Sequence, residues 1–195
     1  MSDLTGAAAE AVDQPQGDII AILLEQHERI RGLFTDVKGA EGEHKQQAFD
    51  ELRALLAAHE TGEEMILRPV SSKDAGAGVA DARNQEENEA TRRLTDLEKI
   101  DVSSAEFERA FAEFERAVLN HAQHEEQEEF PSVRAREDPD RLVSMGKALR
   151  AAEKIAPTHP HPSTAGSPPA QWAVGPFASL IDRARDAVKK AMPGS

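Results

Sequence analysis

Apolar residues recur at intervals of three and four along most of this chain, the spacing of one face of an α-helix. Ile20, Leu23, Leu24, Ile30, Phe34 and Val37 make the first stripe. The second runs Phe49, Leu52, Leu55, Leu56 and resumes at Ile66 and Val70. The third reads Ala90, Leu94, Leu97, and the fourth Phe107, Phe111, Phe114, Val118. Asp18, after Gly17, suits the N-cap of the first helix. The second helix is expected from about Glu43 to Arg68, stopped by Pro69 and the segment SSKDAGAG. The third is expected from about Val79 to Ile100. The fourth starts at Ser103 or Ser104, where Ser103 and Glu106 have capping-box spacing, and ends at Phe130-Pro131. Four amphipathic helices with short connections predict an all-α fold, an up-down-up-down four-helix bundle over residues 18–135.

Beyond the bundle the pattern changes. A shorter helix is expected from about Asp140 to Ile155, within residues 136–156. The segment PTHPHPSTAGSPPAQW is too rich in Pro and Ser for a helix and reads as an extended strap over 157–174. Its His159 and His161 sit between prolines, a setting that can bind surface metal but fits a strap better. Residues 175–192 read as a last amphipathic helix with Phe177, Leu180, Ile181, Ala184 and Val188 on one face. That face and Trp172 are expected to dock on the bundle or on another subunit. Residues 1–17 read as a flexible acidic leader without the basic and apolar regions of a signal peptide.

Composition narrows the function. A net charge of −13, with Lys and Arg scattered, argues against a nucleic-acid surface and against binding acidic membranes. No apolar run approaches the roughly 20 residues of a membrane span, so a cytoplasmic protein is expected. The chain has no Cys and no Tyr, which closes iron–sulfur, thiol and tyrosyl-radical chemistry. There is no His-Glu-x-x-His, which disfavours a metal-dependent hydrolase. Peroxide turnover is the one enzymatic activity left in view.

Two polar pairs interrupt the apolar stripes. His59 and Glu63 stand where the second stripe calls for core residues, and His121 and Glu125 continue the Phe107–Val118 series. Each pair is four residues apart, so imidazole and carboxylate share a helical face. Each has a second carboxylate next to its Glu, Glu64 or Glu126, and a proline ten residues after its His, Pro69 or Pro131. A single exposed His–Glu pair is commonplace. Two matched pairs on core faces are not, because an ionised carboxylate in a core needs a partner or a metal. Facing helices would converge two imidazoles and two carboxylates on a pair of first-row metal ions. His27 lies on the first stripe between Leu23 and Ile30. His44 lies off its stripe and has no assigned role. His124, one before Glu125 and four before Glu128, is expected beside the site rather than in it.

With these residues in place the chain resembles the hemerythrin-like HHE cation-binding family over residues 18–135. The resemblance implies a four-helix bundle with a non-haem di-iron centre: His on helix one, His-x-x-x-Glu on helices two and four, His on helix three. His27, His59, Glu63, His121 and Glu125 match, and the closures EEMILRP and EEQEEFP are similar to the family's. The tail, with HPHP, PPAQW and DRARDAV, resembles the C-terminal extension of some bacterial members. The third helix departs from the pattern, since it has no His. Its candidates are Glu86, Glu87 and Asn88, and stepping back three from Ala90 selects Glu87. A carboxylate there makes the site harder and admits manganese beside iron. The expected ligands are therefore His27, His59, Glu63, Glu87, His121 and Glu125, holding two iron ions that bind dioxygen, peroxide or nitric oxide. The alternative is a non-catalytic helical binding module with a mononuclear or vestigial site, its C-terminal helix serving self-association or a partner.

Overall fold

The computed structural model describes residues 17–74, 77–155 and 177–191. Every regular element among them is helical. The helices are α1 (Ile19–Gly39), α2 (Gly42–Gly62), α3 (Arg68–Asp74), α4 (Ala77–Leu97), α5 (Ala105–His124), α6 (Phe130–Arg136), α7 (Pro139–Ile155) and α8 (Phe177–Ala191). The leader, the strap with His159 and His161, and Trp172 lie outside the described residues.

Neighbouring rods run against each other. Gln26 meets His59 while Arg29 meets Glu51, so residue numbers rise along α1 as they fall along α2. His27 with Glu126 and Lys38 with Glu115 set the same sense between α1 and the rod that starts with α5. Glu86 with His121 and Arg93 with Glu113 do so for α4 and α5. The caps follow the sequence at one end and differ at another. Asp18 accepts from the Ala21 N–H at 2.6 Å as N-cap of α1. Ser104, not Ser103, caps α5 by accepting from the Phe107 N–H at 3.1 Å. Ser103 instead donates to Asp101 at 2.7 Å, so the Ser103–Glu106 capping box does not form.

The prolines do not end their helices. A single π turn, Glu63–Leu67, joins α2 directly to α3, and another, Glu125–Glu129, joins α5 to α6. In each turn the N–H five residues on returns to the ligand-candidate Glu: Arg68 to the Glu63 carbonyl, Phe130 to the Glu125 carbonyl. Pro69 and Pro131 follow immediately. A proline inside an α-helix strikes the carbonyl four residues back and lacks an N–H. The wider π turn relieves that clash, so the rod continues through the proline.

The described residues form two apolar cores. One holds Phe34, Phe49, Phe107, Phe111 and Phe114 in mutual ring contact. The other holds Ile19, Ile20, Leu23, Ile66, Leu67, Phe130 and Val133, with Leu142 and Leu149 of α7 and Val188 of α8. Each fully buried Phe or Leu contributes about 1.5–3 kcal/mol from apolar surface removed from water. On α1 the second core stops at Leu23 and the first starts at Ile30. On α2 and its continuation the gap lies between Ala57 and Ile66, and on α5 between Val118 and Phe130. His27, His59, Glu63, His121 and Glu125 fall in those gaps. They form a polar layer between two apolar ones. The last helix packs within the chain, with Leu180, Ala184, Ala187 and Val188 buried.

Candidate metal centre

Buried polar groups demand partners, and this layer is buried: His27, His59, Glu63, His121 and Glu125 are each at most 4% exposed. The structure brings them together in two quartets. One is His27, His59, Glu63 and Glu125, and the other is Glu63, Glu87, His121 and Glu125. Within each quartet one candidate ligand atom per residue lies within 4.8 Å of the others. Glu63 and Glu125 belong to both. All six residues expected from the sequence therefore meet at one place.

The outward nitrogens of the histidines fix which nitrogen faces in. His27 Nδ1 donates to Glu126 at 2.8 Å, His59 Nδ1 to the Gln26 side-chain oxygen at 2.8 Å, and His121 Nδ1 to Glu86 at 3.1 Å. Carboxylate oxygens only accept, so the proton of these rings is held on Nδ1 and the Nε2 lone pair is aimed inward. This is the arrangement by which outer partners prepare an imidazole to bind metal. His27 Nε2 stands 3.1 Å from His59 Nε2, so the two inward nitrogens lie within reach of a single cation.

The carboxylates tell the same story. Both oxygens of Glu63, both of Glu125 and the His121 Nε2 are buried with no hydrogen-bond partner. Yet His121 Nε2 lies 3.2 Å from Glu125, His27 Nε2 3.4 Å from Glu125, and His59 Nε2 3.6 Å from Glu63. The groups are close but not aligned on one another. They converge instead on the space between them. A divalent cation accepts imidazole nitrogen and carboxylate oxygen together, so this donor set fits one or two first-row ions.

Electrostatics agree with the geometry. Burial, and then the charge on Glu125, pushes the Glu63 carboxyl well above the usual carboxylate range. Burial also pushes Glu125 up, but the charge on His121 outweighs it and holds Glu125 well below that range. Burial alone would lower His121, and Glu125 raises it well above the imidazole range. Burial and the neighbouring His27 keep His59 well below it.

The surroundings of the centre include residues weighed from the sequence and others that it did not mark. Glu86 bridges His121 and His124, accepting from both Nδ1 atoms, so His124 is tied to the site through a shared carboxylate. Asn88 is exposed and donates to the Asn84 carbonyl. Glu87 is in the second quartet, with its oxygen 4.0 Å from His121 Nε2, and it also accepts from Arg68. Arg68 is buried and donates to both oxygens of Glu129 at 3.0 and 2.9 Å. Arg31 joins His27 on Glu126 at 2.7 Å. Phe130 stacks on the His27 ring at 5.7 Å between centroids. Of these, Glu86, Glu87, Asn88 and His124 were weighed from the sequence, Arg68, Glu126, Glu129 and Phe130 lie in the runs EEMILRP and EEQEEFP, and Arg31 had no signal. His44 is exposed.

The chain is similar to several known proteins. The chain belongs to the hemerythrin HHE cation binding domain family, whose model matches residues 18–133. It is 28% identical over 138 residues to an uncharacterised hemerythrin-like protein of Schizosaccharomyces pombe, covering 69% of this chain and 68% of that one. It is 25% identical over 154 residues to a DNA nickase of Nostoc, covering 76% of this chain but only 44% of that one. The fold matches a crystal structure from Mycobacterium kansasii, described as a hemerythrin HHE cation binding domain-containing protein and a homologue of Rv2633c. The TM-score is 0.66 at 20% identity, with 90% of this chain and 99% of that chain covered. Among the described residues no helix is long and apolar enough to cross a membrane.

Proposed function

We propose that this protein holds a dinuclear non-haem iron centre and binds or senses a small oxidant or diatomic ligand: dioxygen, peroxide or nitric oxide. One observation carries the reading. Three inward Nε2 atoms and the partnerless oxygens of Glu63 and Glu125 converge in two quartets that share both carboxylates. His27 and His59 would hold one ion, and Glu87 and His121 the other. Glu63 and Glu125 would serve both, which neutralises charge between two cations at short range. Bound iron supplies redox chemistry and an exchangeable coordination position. The chain's own residues set ligand geometry, keep the ring protons of the histidines outward and surround the layer with apolar side chains. Oxygen-rich ligation also suits manganese.

A mononuclear centre is the second reading, supported by the Arg68 contact. A guanidinium already occupies one oxygen of Glu87, the residue that stands where the family pattern carries His. The DNA nicking in the name of the Nostoc relative sits poorly with a net charge of −13.

Metal content per chain decides between the readings. The anaerobically iron-loaded protein is expected to carry about two irons per chain, and His59→Ala to lose iron from the centre. About one ion per wild-type chain, unchanged by Glu87→Ala, would establish the mononuclear reading instead. No bound metal in a folded protein would end both. Peroxide, dioxygen and nitric oxide are then tested on the loaded protein by absorption spectroscopy.

A further inference from the structure

The helix α7 lies beyond residue 133, where the family match ends. It nevertheless reaches the metal centre through one side chain. Leu142, Leu149 and Ala152 pack it against the Ile19–Leu23 end of α1. Gly146 lets it come so close that an added Cβ would sit 2.1 Å from the Gly17 carbonyl oxygen. In that position Glu153 Oε1 accepts from the side-chain nitrogen of Gln26 at 2.7 Å. Its other oxygen accepts from Arg150 at 3.1 Å, and Arg150 also pairs with Glu25.

Gln26 is 4% exposed, and its amide has two possible orientations. They have opposite consequences for His59. With the oxygen toward His59 Nδ1, the ring proton stays on Nδ1 and Nε2 keeps its lone pair for a metal. With the nitrogen toward it, Nδ1 must accept, the proton moves to Nε2 and the inward atom can no longer ligate. Gln26 itself does not select between them, because an amide both donates and accepts. Glu153 does select, because a carboxylate only accepts and so draws the NH2 group to itself. His27 and His121 need no such intermediary, since their Nδ1 atoms meet carboxylates directly.

We propose that Glu153 is a positioning residue of the metal centre: by orienting the Gln26 amide it holds the His59 proton on Nδ1 and leaves Nε2 free to bind metal. The consequence for metal rests on the reading given above; the proton position does not. The C-terminal extension is thereby part of the centre and not only a cover over the bundle.

The test uses the full-length, metal-free protein labelled with nitrogen-15 at histidine. The chemical shifts of the two His59 ring nitrogens report which of them carries the proton. The wild type is expected to show the Nδ1–H form. Glu153→Ala, which suits the helix, is expected to populate the Nε2–H form and to weaken Fe(II) binding roughly tenfold or more. Glu153→Gln, which retains an accepting oxygen, is expected to restore most of both. Gln26→Glu combined with Glu153→Ala is expected to restore the Nδ1–H form, because a carboxylate beside His59 needs no orientation. An unchanged tautomer in Glu153→Ala overturns the proposal. So does a double variant that fails to restore it, which would trace the effect to loss of α7 docking. If the tautomer shifts as expected but the wild type never takes up iron, the metal reading falls and the positioning role stands.

Discussion

Arg68 donates to Glu87 at the edge of the two ligand quartets, and its guanidinium stands 3.9 Å from the shared carboxylate Glu125. A fixed cation therefore competes for the one candidate ligand that departs from the family's histidine. On the dinuclear reading the two ions are expected to load unequally, first between His27 and His59, then between Glu87 and His121. Glu87→Ala should reduce iron from about two to about one per chain, and Glu87→His should keep two and remove the competition. Stepwise Fe(II) titration, followed by metal analysis after desalting, measures both.

Arg68 also answers a structural need. Glu129 is fully buried and both of its oxygens accept from Arg68. Arg68→Met should cost about 3–5 kcal/mol, because it strands a buried carboxylate. Arg68→Met with Glu129→Leu should recover most of that loss, since apolar groups can replace a buried pair. Urea denaturation of the metal-free variants compares them. If the double variant is no more stable than the single, the cost lies in the lost Glu87 contact.

Glu60 gives a pH-dependent signal in the metal-free protein. Burial pushes its carboxyl up to about 6 from an ordinary 4.5; the charge on His121 opposes this and that on Glu125 adds to it. A raised carboxyl means that the folded chain resists ionisation. The cost is absent below pH 4.5, grows as pH rises through 6 and is complete above it. Glu60→Gln never pays it. The variant should gain about 1 kcal/mol over wild type at neutral pH, half of what the shift implies because the side chain keeps some water. That advantage should vanish near pH 4.5. Thermal melts of both proteins across this range, with a chelator present, give the answer.

Two glycines make α7 docking testable without touching a charged group. An added Cβ at Gly146 meets the backbone of Gly17 and Asp18, whereas one at Gly62 meets only the end of the Leu149 side chain, at 2.7 Å. Backbone cannot turn aside and a leucine rotamer can. Gly146→Ala should cost about 1–3 kcal/mol and Gly62→Ala less. Melting temperatures rank the two, and equal losses would contradict the distinction.

Much of the centre was legible because helical periodicity is a strict ruler. His59 with Glu63 and His121 with Glu125 interrupt apolar series at core positions, and counting back from Ala90 reached Glu87 rather than its exposed neighbour Asn88. The partners were not legible. Gln26 with Glu153, Arg68 with Glu129, and Glu86 with His121 are pairings between separate helices, and no period within one helix encodes them. The prolines were misread for a related reason. Pro69 and Pro131 are stop signals in an α-helix, and a π turn that absorbs them differs from it by a single backbone hydrogen-bond register.

The twin π turns carry a consequence for how this chain tolerates change in length. An α-helix advances about 100° per residue, so Arg68, five beyond Glu63, would point well away from it in an unbroken helix. A turn closed by a five-residue hydrogen bond brings the two back toward one side. Deleting one residue from 63–67 would let a plain α-helix form with Arg68 four beyond Glu63, still on its side, so Pro69, Val70 and everything after them would keep their direction. A deletion in the α-helical stretch before Glu63 has no such cushion and would turn all that follows by about 100°. These two five-residue segments are thus places where the rod can lose a residue without losing phase; what it would lose is the room the wider turn gives each proline.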